Sequence, residues 1–266
     1  MSETSQVSSR LLTEQRRRAM VKWLAQHESA TVAELAARFH CSEMTVRRDL
    51  AALRGEGLVR RIRGGGEIVR GADEPPFRVK RELAQIEKQA IARQAVGLVE
   101  PHMVVGLSAG TTTWYIAQAL PRLDPVTFIT NSTNVALALY ERGWSDIILT
   151  GGNFRTPSDA LVGPFAEATI AKLNCDLLFL GVHAIDGEGW LCTPNVAEAA
   201  VDQALVRQSA RVVVVADHGK WGQRALAHIV PLNEVDLVIT DDGIDPEWVD
   251  RASRLGVDVR VASTTA

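Results

Sequence analysis

Arginines stand in the first quarter of the chain at spacings that suit nucleic-acid recognition. Arg47 and Arg48 lie within residues 42–54, where apolar residues recur at helical spacing. At about 100° per residue, the apolar side chains fall on one side of a helix and the two arginines on the other. An arginine donates two parallel hydrogen bonds to the O6 and N7 atoms of guanine, so this outer face suits the major groove of DNA. The expected core residues are Val46, Leu50 and Leu53, and Met44, Thr45 and Ala51 lie beside the arginines.

The residues before this helix predict the rest of a helix-turn-helix motif. Thr31 and Glu34 have the spacing of a capping box, which favours the start of a helix. A short turn at residues 40–41 follows, and Ser42 is the N-cap candidate of the arginine-bearing helix. Two short helices joined by a turn of three or four residues are typical of this motif.

An earlier helix is expected from Thr13 to about His27. Arg16–Arg18 lie in its first turns, where cations oppose the helix dipole. A nearby phosphate would offset that cost, and a solvated run of charges is the alternative interpretation. We expect Asp49, which lies off the outer face of the third helix, to orient a neighbouring arginine rather than to contact a base.

Residues 58–69 predict a β-hairpin. Its first strand carries Arg60, Arg61 and Arg63, a glycine turn at residues 64–66 follows, and the return strand is apolar. Such a wing would contact DNA phosphates or the minor groove. A nucleotide-binding glycine loop is disfavoured, because the preceding apolar strand and the required glycine spacing are missing.

A winged helix of this kind predicts binding to double-stranded DNA, although a winged helix that binds only protein is the alternative. The net charge supports DNA: residues 1–81 carry +6 and residues 82–266 carry −9, which together give the formal charge of −3. A basic head on an acidic body indicates a polyanionic partner for the head alone. The residues expected to contact DNA are Thr31, Ser42, Met44, Thr45, Arg47, Arg48, Arg60, Arg61 and Arg63.

The length and composition of the chain limit the classes of protein to which it can belong. With 266 residues, 46% apolar and 23% charged, the chain resembles a globular protein of one to two domains rather than a disordered or coiled-coil protein. No run approaches the roughly 20 apolar residues of a membrane span, and the polar start disfavours a secretory signal. Three widely spaced cysteines predict no disulfide framework and a reducing, cytoplasmic location. The six histidines share no i,i+4 spacing, so no metal site is expected.

The C-terminal two thirds alternates apolar runs with helical patterns. Such alternation predicts a mainly parallel sheet covered by helices on both faces. Paired prolines at residues 75–76 place a linker before it. The expected divisions are a mobile tail at 1–12, a winged helix-turn-helix domain at 13–70, a linker at 71–82 and an α/β domain at 83–266. The expected strands are 103–107, 126–130, 146–150, 176–182, 211–216, 235–240 and 257–262, and the expected helices are 83–99, 112–120, 132–141, 164–173, 195–208 and 246–254.

Polar residues follow five of the predicted strands. In an α/β sheet, ligands bind at the carboxyl ends of the strands. Glycines, threonine hydroxyls and the amides of a helix N-terminus hold phosphate well, and a lysine or arginine adds charge. Taken together, the strand ends predict a pocket for a phosphorylated small molecule. The strand ends are 108–113, 130–132, 151–155, 186–187 and 217–222.

These motifs resemble the DeoR-type family of bacterial transcription regulators. The most specific match is Thr45-Val46-Arg47-Arg48-Asp49-Leu50, and similar matches continue through Gly110-Thr111-Thr112-Thr113 and Asp217-His218-x-Lys220-Trp221-Gly222. The resemblance implies repression of sugar or polyol catabolic genes. Two winged helices on one operator imply a homodimer or a larger homo-oligomer, and no resident cofactor is expected. The resemblance also implies a sensor domain that is similar to ribose-5-phosphate isomerase and binds a phosphorylated sugar as effector. The expected effector residues are Ser108, Gly110, Thr111, Thr112, Asn131, Gly152, Arg155, Glu198 and Lys220.

Two positions depart from the family pattern. Ser108 stands where the family usually has aspartate, and Asp202 stands where it often has lysine. Both changes alter the charge that meets a ligand, so the effector is expected to differ from the commoner ones. The alternative function is a sugar-phosphate isomerase with an added winged helix, in which Asp186, Glu198 and Lys220 would supply the acid, the base and the cation. The chain is therefore expected to be a regulator and not an enzyme.

Overall fold

The computed structural model divides the chain into two compact units, residues 1–83 and 84–266. It describes residues 13, 15–17, 19–21, 23–24, 27–55, 58–68, 75–122 and 125–265. The tail at 1–12 and residues 71–74 of the expected linker lie outside the described residues. Part of that linker, Phe77–Glu82, is helical and begins directly after Pro76, so the two prolines precede a helix rather than prevent one.

The N-terminal unit is a winged helix-turn-helix, as the sequence predicts. The described residues of 13–27 are helical (α1), and a three-stranded antiparallel sheet has the order β1-β3-β2. The capping box of Thr31 and Glu34 is formed in full, and the Ser42 hydroxyl accepts a hydrogen bond from the Thr45 amide at 3.2 Å. The further elements are β1 Ser29–Thr31, α2 Val32–Arg38, α3 Glu43–Gly55, β2 Val59–Ile62, β3 Gly65–Ile68 and α4 Phe77–Glu82.

The core of this unit is built from the apolar stripe that the helical spacing predicts. Val46 and Leu53 of α3 are buried against Leu24 of α1 and Leu35 of α2. Because the stripe fills the core, the opposite face of α3 is turned to solvent.

One buried carboxylate ties α3 to α1. Asp49 is 1% exposed, and its two oxygens accept hydrogen bonds from the Nε atoms of Arg16 and Arg17 at 2.7 and 2.8 Å. The expectation that Asp49 orients an arginine is confirmed, and two arginines share it. Arg16 and Arg17 are therefore engaged within the protein rather than forming a solvated run of charges.

The wing contains a strand that the sequence does not predict. β1 pairs with β3, so the hairpin of β2 and β3 is part of a three-stranded sheet in which β3 is the central strand. The return strand is not mainly apolar, because Gly65 and Gly66 lie within it. A Cβ on Gly66 would stand 2.7 Å from Val59 and 2.8 Å from Leu50 of α3, so this glycine allows the sheet to pack directly on the helix.

The second unit contains all seven strands and all six helices that the sequence predicts, with ends shifted by a few residues. The seven strands form one sheet in the order β15-β14-β12-β9-β4-β5-β6, and each neighbouring pair is parallel. Its elements are α5 Gln85–Ala95, β4 Val104–Leu107, α6 Thr111–Ala119, β5 Thr127–Thr130, α7 Thr133–Glu141, β6 Ile147–Leu149, β7 Asn153–Arg155, β8 Ala160–Val162, α8 Pro164–Ile170, β9 Leu177–Gly181, β10 Ala184–Ile185, β11 Trp190–Thr193, α9 Val196–Arg207, β12 Val212–Val215, β13 Ala227–Pro231, β14 Leu237–Asp241, α10 Pro246–Arg254 and β15 Asp258–Ala262.

Helices cover both faces of this sheet. Along β9, Leu177 and Phe179 enter the core beneath α5, α6 and α7, while Leu178 and Leu180 enter the core beneath α8, α9 and α10. This alternation explains why the strands read as continuous apolar runs. The order of the strands reverses between β4 and β9, and such a switch point opens a crevice at the carboxyl ends of the strands.

The described residues of the second unit form five further short strands outside the seven-stranded sheet. β7 and β8 form an antiparallel hairpin, and β10, β11 and β13 form a three-stranded antiparallel sheet. These strands have two to five residues, which is too short for an alternating pattern to stand out. Within the described part of the chain, no helix combines the length and the apolar character needed to cross a bilayer.

Replacing Asp49 by asparagine is expected to destabilise the N-terminal unit by about 1–3 kcal/mol, because hydrogen bonds to charged groups are worth that much and two guanidinium groups would lose their counter-charge. Urea unfolding followed by circular dichroism measures the change. Glu43→Gln on the same helix is the matched control. Its pair with Arg47 is solvent-exposed, so unfolding should not change. Equal stability of Asp49→Asn and the parent protein would contradict the role assigned to this carboxylate.

Candidate functional site

The outer face of α3 presents the residues that the sequence assigns to DNA. Met44, Arg47, Arg48 and Ala51 are exposed, and the Arg47 side chain retains 63% of its accessible surface. The contact of Arg47 with Glu43 at 3.2 Å spans one helical turn in solvent, so it leaves the guanidinium free to exchange partners. The face therefore combines charge, exposure and small neighbours, as major-groove recognition requires.

A groove of about 290 Å³ separates this helix from the wing. Arg47, Ala51 and Arg54 line it from α3, and Arg60 and Arg61 line it from β2. Arg54 is not among the residues assigned from the sequence. Its spacing of seven from Arg47 places it two turns along the same face, and this signal was available in the sequence.

The wing arginines differ in their partners. Arg60 donates from Nε to Glu67 across the hairpin at 2.7 Å, and this hydrogen bond lowers the pKa of Glu67. Arg61 and Arg63 are exposed at and beyond the end of β2. We therefore expect Arg61 and Arg63 to contact phosphate more readily than Arg60.

Three hydroxyl-bearing candidates act as helix caps or lie beside them. Thr31 accepts a hydrogen bond from the Glu34 amide. The Thr31 backbone amide and then its hydroxyl donate to the Glu34 carboxylate, and these two hydrogen bonds lower the pKa of Glu34. Ser42 caps α3, and its hydroxyl lies 2.9 Å from that of Thr45. Their observed contacts hold the helix starts in place, and their contact with DNA stays a prediction.

In the second unit, eight of the nine predicted effector residues follow strands β4, β5, β6 and β12 of one parallel sheet, and the ninth, Glu198, lies on α9. The carboxyl ends of β6, β5, β4, β9 and β12 lie side by side, at spacings of about 4.8 Å between neighbouring strands. β4 and β9, at the centre, flank the switch point. The sequence predicts the strand ends but not this order.

A hydrogen-bonded network holds the switch point. The Ser108 hydroxyl at the end of β4 accepts from the Gly181 amide of β9 at 2.9 Å, and Asn131 after β5 accepts from the Ala109 amide at 2.8 Å. Ser108 and Asn131 are almost fully buried. These two predicted residues therefore shape the loop that leads into α6.

The start of α6 lacks a side-chain cap. Gly110 precedes the helix and carries no capping side chain, so the first amides of the helix have no partner within it. Thr111 and Thr112 are nearly buried in that first turn, while Thr113 donates its hydroxyl to the Ser108 carbonyl at 2.7 Å. Amides at a helix N-terminus carry partial positive charge and favour phosphate.

Two of the predicted charges are paired with each other. Arg155 on β7 donates to Glu198 on α9 at 2.8 Å, and Thr193 on β11 donates to the second oxygen of Glu198 at 2.8 Å. Ser158 donates to the same Glu198 oxygen that Arg155 contacts. Arg155 is thus part of an internal ion pair, and Glu198 is held by three donors.

Gly152 has an internal role as well. Its φ angle is +117°, and a Cβ there would stand 2.7 Å from the Val162 carbonyl oxygen. The close approach that the glycine allows is therefore to β8 of the protein itself, and contact with a ligand stays a prediction.

The end of β12 carries Lys220 and a histidine–aspartate pair. Lys220 forms no ion pair with another described residue, and it belongs to a short turn at residues 218–220. The His218 ring nitrogen Nδ1 lies 2.6 Å from the Asp241 carboxylate at the end of β14, and the His218 amide donates to the same carboxylate at 2.7 Å. The sequence does not assign Asp241, although this residue directly follows the predicted strand 235–240 at the ligand-binding edge of the sheet.

Asp202 lies one turn after Glu198 on α9 and is buried. Burial raises the pKa of Asp202 well above its ordinary value, and the negative charge of Glu198 raises it further. Burial therefore favours the protonated, uncharged form of the side chain that departs from the family pattern.

Comparison with known proteins identifies both units. Residues 16–70 match the model described as the DeoR-like helix-turn-helix domain, and residues 84–242 match the DeoR C terminal sensor domain. The chain is 36% identical to the HTH-type transcriptional regulator GlpR of Haloferax volcanii, over 94% of this chain and 98% of that protein. It is 34% identical to the putative aga operon transcriptional repressor of Escherichia coli O157:H7, over 93% of each.

A third relative is the glycerol-3-phosphate regulon repressor of Escherichia coli K12, 29% identical over 85% of this chain and 90% of that protein. Ribose 5-phosphate isomerase A from Methanocaldococcus jannaschii overlaps 52% of this chain and 55% of its own, at 16% identity and a TM-score of 0.39. We infer no activity from that partial overlap. The sequence relatives are named as regulators, which gives the isomerase alternative no support.

Replacing Asp202 by asparagine is expected to stabilise the protein above about pH 4. The unfolded chain ionises Asp202 near its ordinary pKa of 3.8, whereas burial raises the pKa of Asp202 in the folded protein, so its contribution to stability falls as the pH rises toward the folded pKa. Asparagine does not ionise in this pH range, so Asp202→Asn lacks this loss of stability with rising pH. Melting temperatures measured between pH 4 and 8 test it against Asp250→Asn at an exposed site. Parallel curves for Asp202→Asn and the parent would show that the pKa of Asp202 is not raised in the folded protein.

Proposed function

The chain belongs to the DeoR family of transcriptional regulators, and on that basis we propose that it represses a sugar or polyol catabolic operon under the control of a phosphorylated metabolite. Two relatives are named as repressors of the aga operon and of the glycerol-3-phosphate regulon, which supports this type of target. The operator is double-stranded DNA, and the protein acts in the cytoplasm without catalysing a reaction.

The observation that carries the DNA-binding half is the exposed arginine face of α3 beside the wing. Val46, Leu50 and Leu53 fill the core, so Arg47 and Arg48 point away from it. Arg61 and Arg63 of the wing supply charge for the flanking phosphates. In this arrangement Arg47 and Arg48 contact base edges, and the wing fixes the position of the helix on the duplex.

Replacing Arg47 by alanine is expected to weaken operator binding by about 1–3 kcal/mol and to relax sequence preference, because a bidentate contact with guanine would be lost. Fluorescence anisotropy on operator and scrambled duplexes measures both effects. Arg61→Ala should weaken binding to both duplexes alike, and Arg254→Ala in the second unit should change neither. Unchanged affinity and preference in Arg47→Ala would show that a different face of α3 meets the DNA.

For the sensor, we propose that the phosphoryl group of the effector binds at the start of α6 and near Lys220. Arg155 is engaged by Glu198, so Lys220 is the assigned cation that remains for the ligand. Ser108, Gly110, Thr111, Thr112 and Asn131 shape the binding loop, and Glu198 faces sugar hydroxyls together with Asp202, whose pKa is raised by burial. One available cation and one helix terminus favour a ligand with a single phosphoryl group.

A thermal-shift screen of phosphorylated sugars and polyols is expected to find a stabilising ligand, because a ligand at 100 times its Kd adds about 2.7 kcal/mol of stability. Lys220→Ala should lower affinity for the phosphorylated compound by about tenfold or more, since it removes a charge-assisted hydrogen bond. Operator affinity without ligand should not change. Lys172→Ala, an exposed lysine of the same unit, is the matched control. Equal ligand affinity in both variants would reject Lys220 as the phosphate contact.

Regulation requires that ligand binding change the affinity for DNA. Winged helices commonly bind operators as pairs, so we propose a homodimer or a larger homo-oligomer. The effector then alters how the paired heads are presented to two half-sites. If a confirmed ligand at saturation left operator affinity unchanged, this part of the proposal would be wrong.

A further inference from the structure

Three side chains of metal-binding type meet on the small sheet of the second unit. Asp186, Cys192 and His228 each offer one ligand atom, and these atoms all lie within 4.8 Å of one another. The residues are far apart in the sequence and come from three separate segments: the turn after β10, strand β11 and strand β13.

The pairing of the strands explains why these three side chains lie close together. Cys192 on β11 lies directly opposite Ala184 on β10 and His228 on β13. The Asp186 amide donates to the Trp190 carbonyl, so Asp186 lies opposite Trp190. Because side chains alternate between the two faces of a sheet, Asp186, Cys192 and His228 lie on the same face.

This face is distinct from the one used by the effector residues. Leu191 and Thr193, the alternate residues of β11, lie on the opposite face, where Thr193 donates to Glu198 of α9. His228 is exposed, whereas Asp186 and Cys192 are each 1% exposed. The cluster is therefore built into the sheet and opens to solvent on the histidine side.

The surroundings hold the three groups in place. One Asp186 oxygen accepts from the Glu188 and Trp190 amides, while the other lies 3.8 Å from the His228 Nε2 atom. The imidazole of His228 stacks on Trp190, with ring centroids 4.7 Å apart and an angle of 12° between the rings. A metal ligand needs such orientation from neighbouring groups.

We propose that Asp186, Cys192 and His228 form a zinc-binding site, with the fourth position open to water. Oxygen, sulfur and imidazole nitrogen are the three donors that Zn²⁺ accepts, and sites with three protein ligands keep an exchangeable position. This set suits Mg²⁺ or Ca²⁺ poorly, because those ions prefer oxygen ligands alone. Ligand atoms within 4.8 Å need only a small contraction to reach a common ion.

The charges around the cluster permit a cation. Arg224 is the nearby positive group, and it pairs with Glu188 at 3.1 Å. Burial raises the pKa of Cys192, and its thiol donates to the Trp190 carbonyl. Zinc binding forms a sulfur–metal bond and breaks the S–H bond, and the proton passes to solvent.

Titration of the metal-free full chain with Co²⁺ tests the proposal directly. Cobalt stands in for zinc and reports its ligands, so a near-ultraviolet thiolate-to-cobalt charge-transfer band and visible bands of tetrahedral intensity should rise to one equivalent per chain. Zn²⁺ should then remove both. Cys192→Ser should abolish the charge-transfer band, while Cys41→Ser in the other unit should keep it.

His228→Ala provides the second variant, because His228 is exposed and its loss should not disturb folding. It should lower Zn²⁺ affinity by more than about tenfold in competition with a chromophoric chelator. His102→Ala, also exposed, is the matched control. The proposal is overturned if the folded parent protein shows no charge-transfer band, if the band persists in Cys192→Ser, or if His228→Ala binds Zn²⁺ as tightly as the parent. Operator binding does not enter these readouts, so the result is independent of the proposed regulatory function.

Discussion

A buried charged group must either pair with an opposite charge or become neutral. This constraint decides which charged side chains of this protein remain available to bind ligands. Asp49 is buried and takes Arg16 and Arg17 as partners. Glu198 pairs with Arg155, and burial raises the pKa of Asp202, which favours its uncharged form. After these pairings, Arg47 and Arg48 of α3 still face solvent. Lys220 still lies at the carboxyl-end edge of the parallel sheet. The charged side chains available to ligands are therefore partly decided by which others already pair with groups inside the protein.

The same constraint separates the tasks of the two units. In the N-terminal unit, the ion pairs between Asp49 and α1 hold the buried side of α3 in place. The arginines on the exposed face of α3 therefore lie on a fixed helix. In the second unit, the Ser108–Gly181 hydrogen bond satisfies a buried hydroxyl and joins the two strands at the switch point. Each polar contact fixes the orientation of a neighbouring element, which then presents its own groups.

Helices, long strands and caps could be predicted because their signals are local. The apolar period of α3, the capping box at Thr31 and the seven continuous apolar runs each lie within a short window, and all appear in the structure. β1, β7, β8, β10, β11 and β13 were not predicted, because strands this short are selected by their partners. The glycines at 65 and 66 were read as a turn, although they form a strand that packs closely on Ala30 and Leu50.

The amino-acid sequence by itself determined the family, the class of each unit and the identity of the exposed arginines, since helical periodicity separates a buried stripe from an outer face. The tertiary structure alone decided which charges are free. Arg155 and Glu198 are 43 positions apart, so their pairing depends on the sheet that brings β7 and α9 together. Asp186, Cys192 and His228 likewise share a face only through strand register. Sequence spacing records neighbours along one element, whereas a site built from several elements depends on how strands pair.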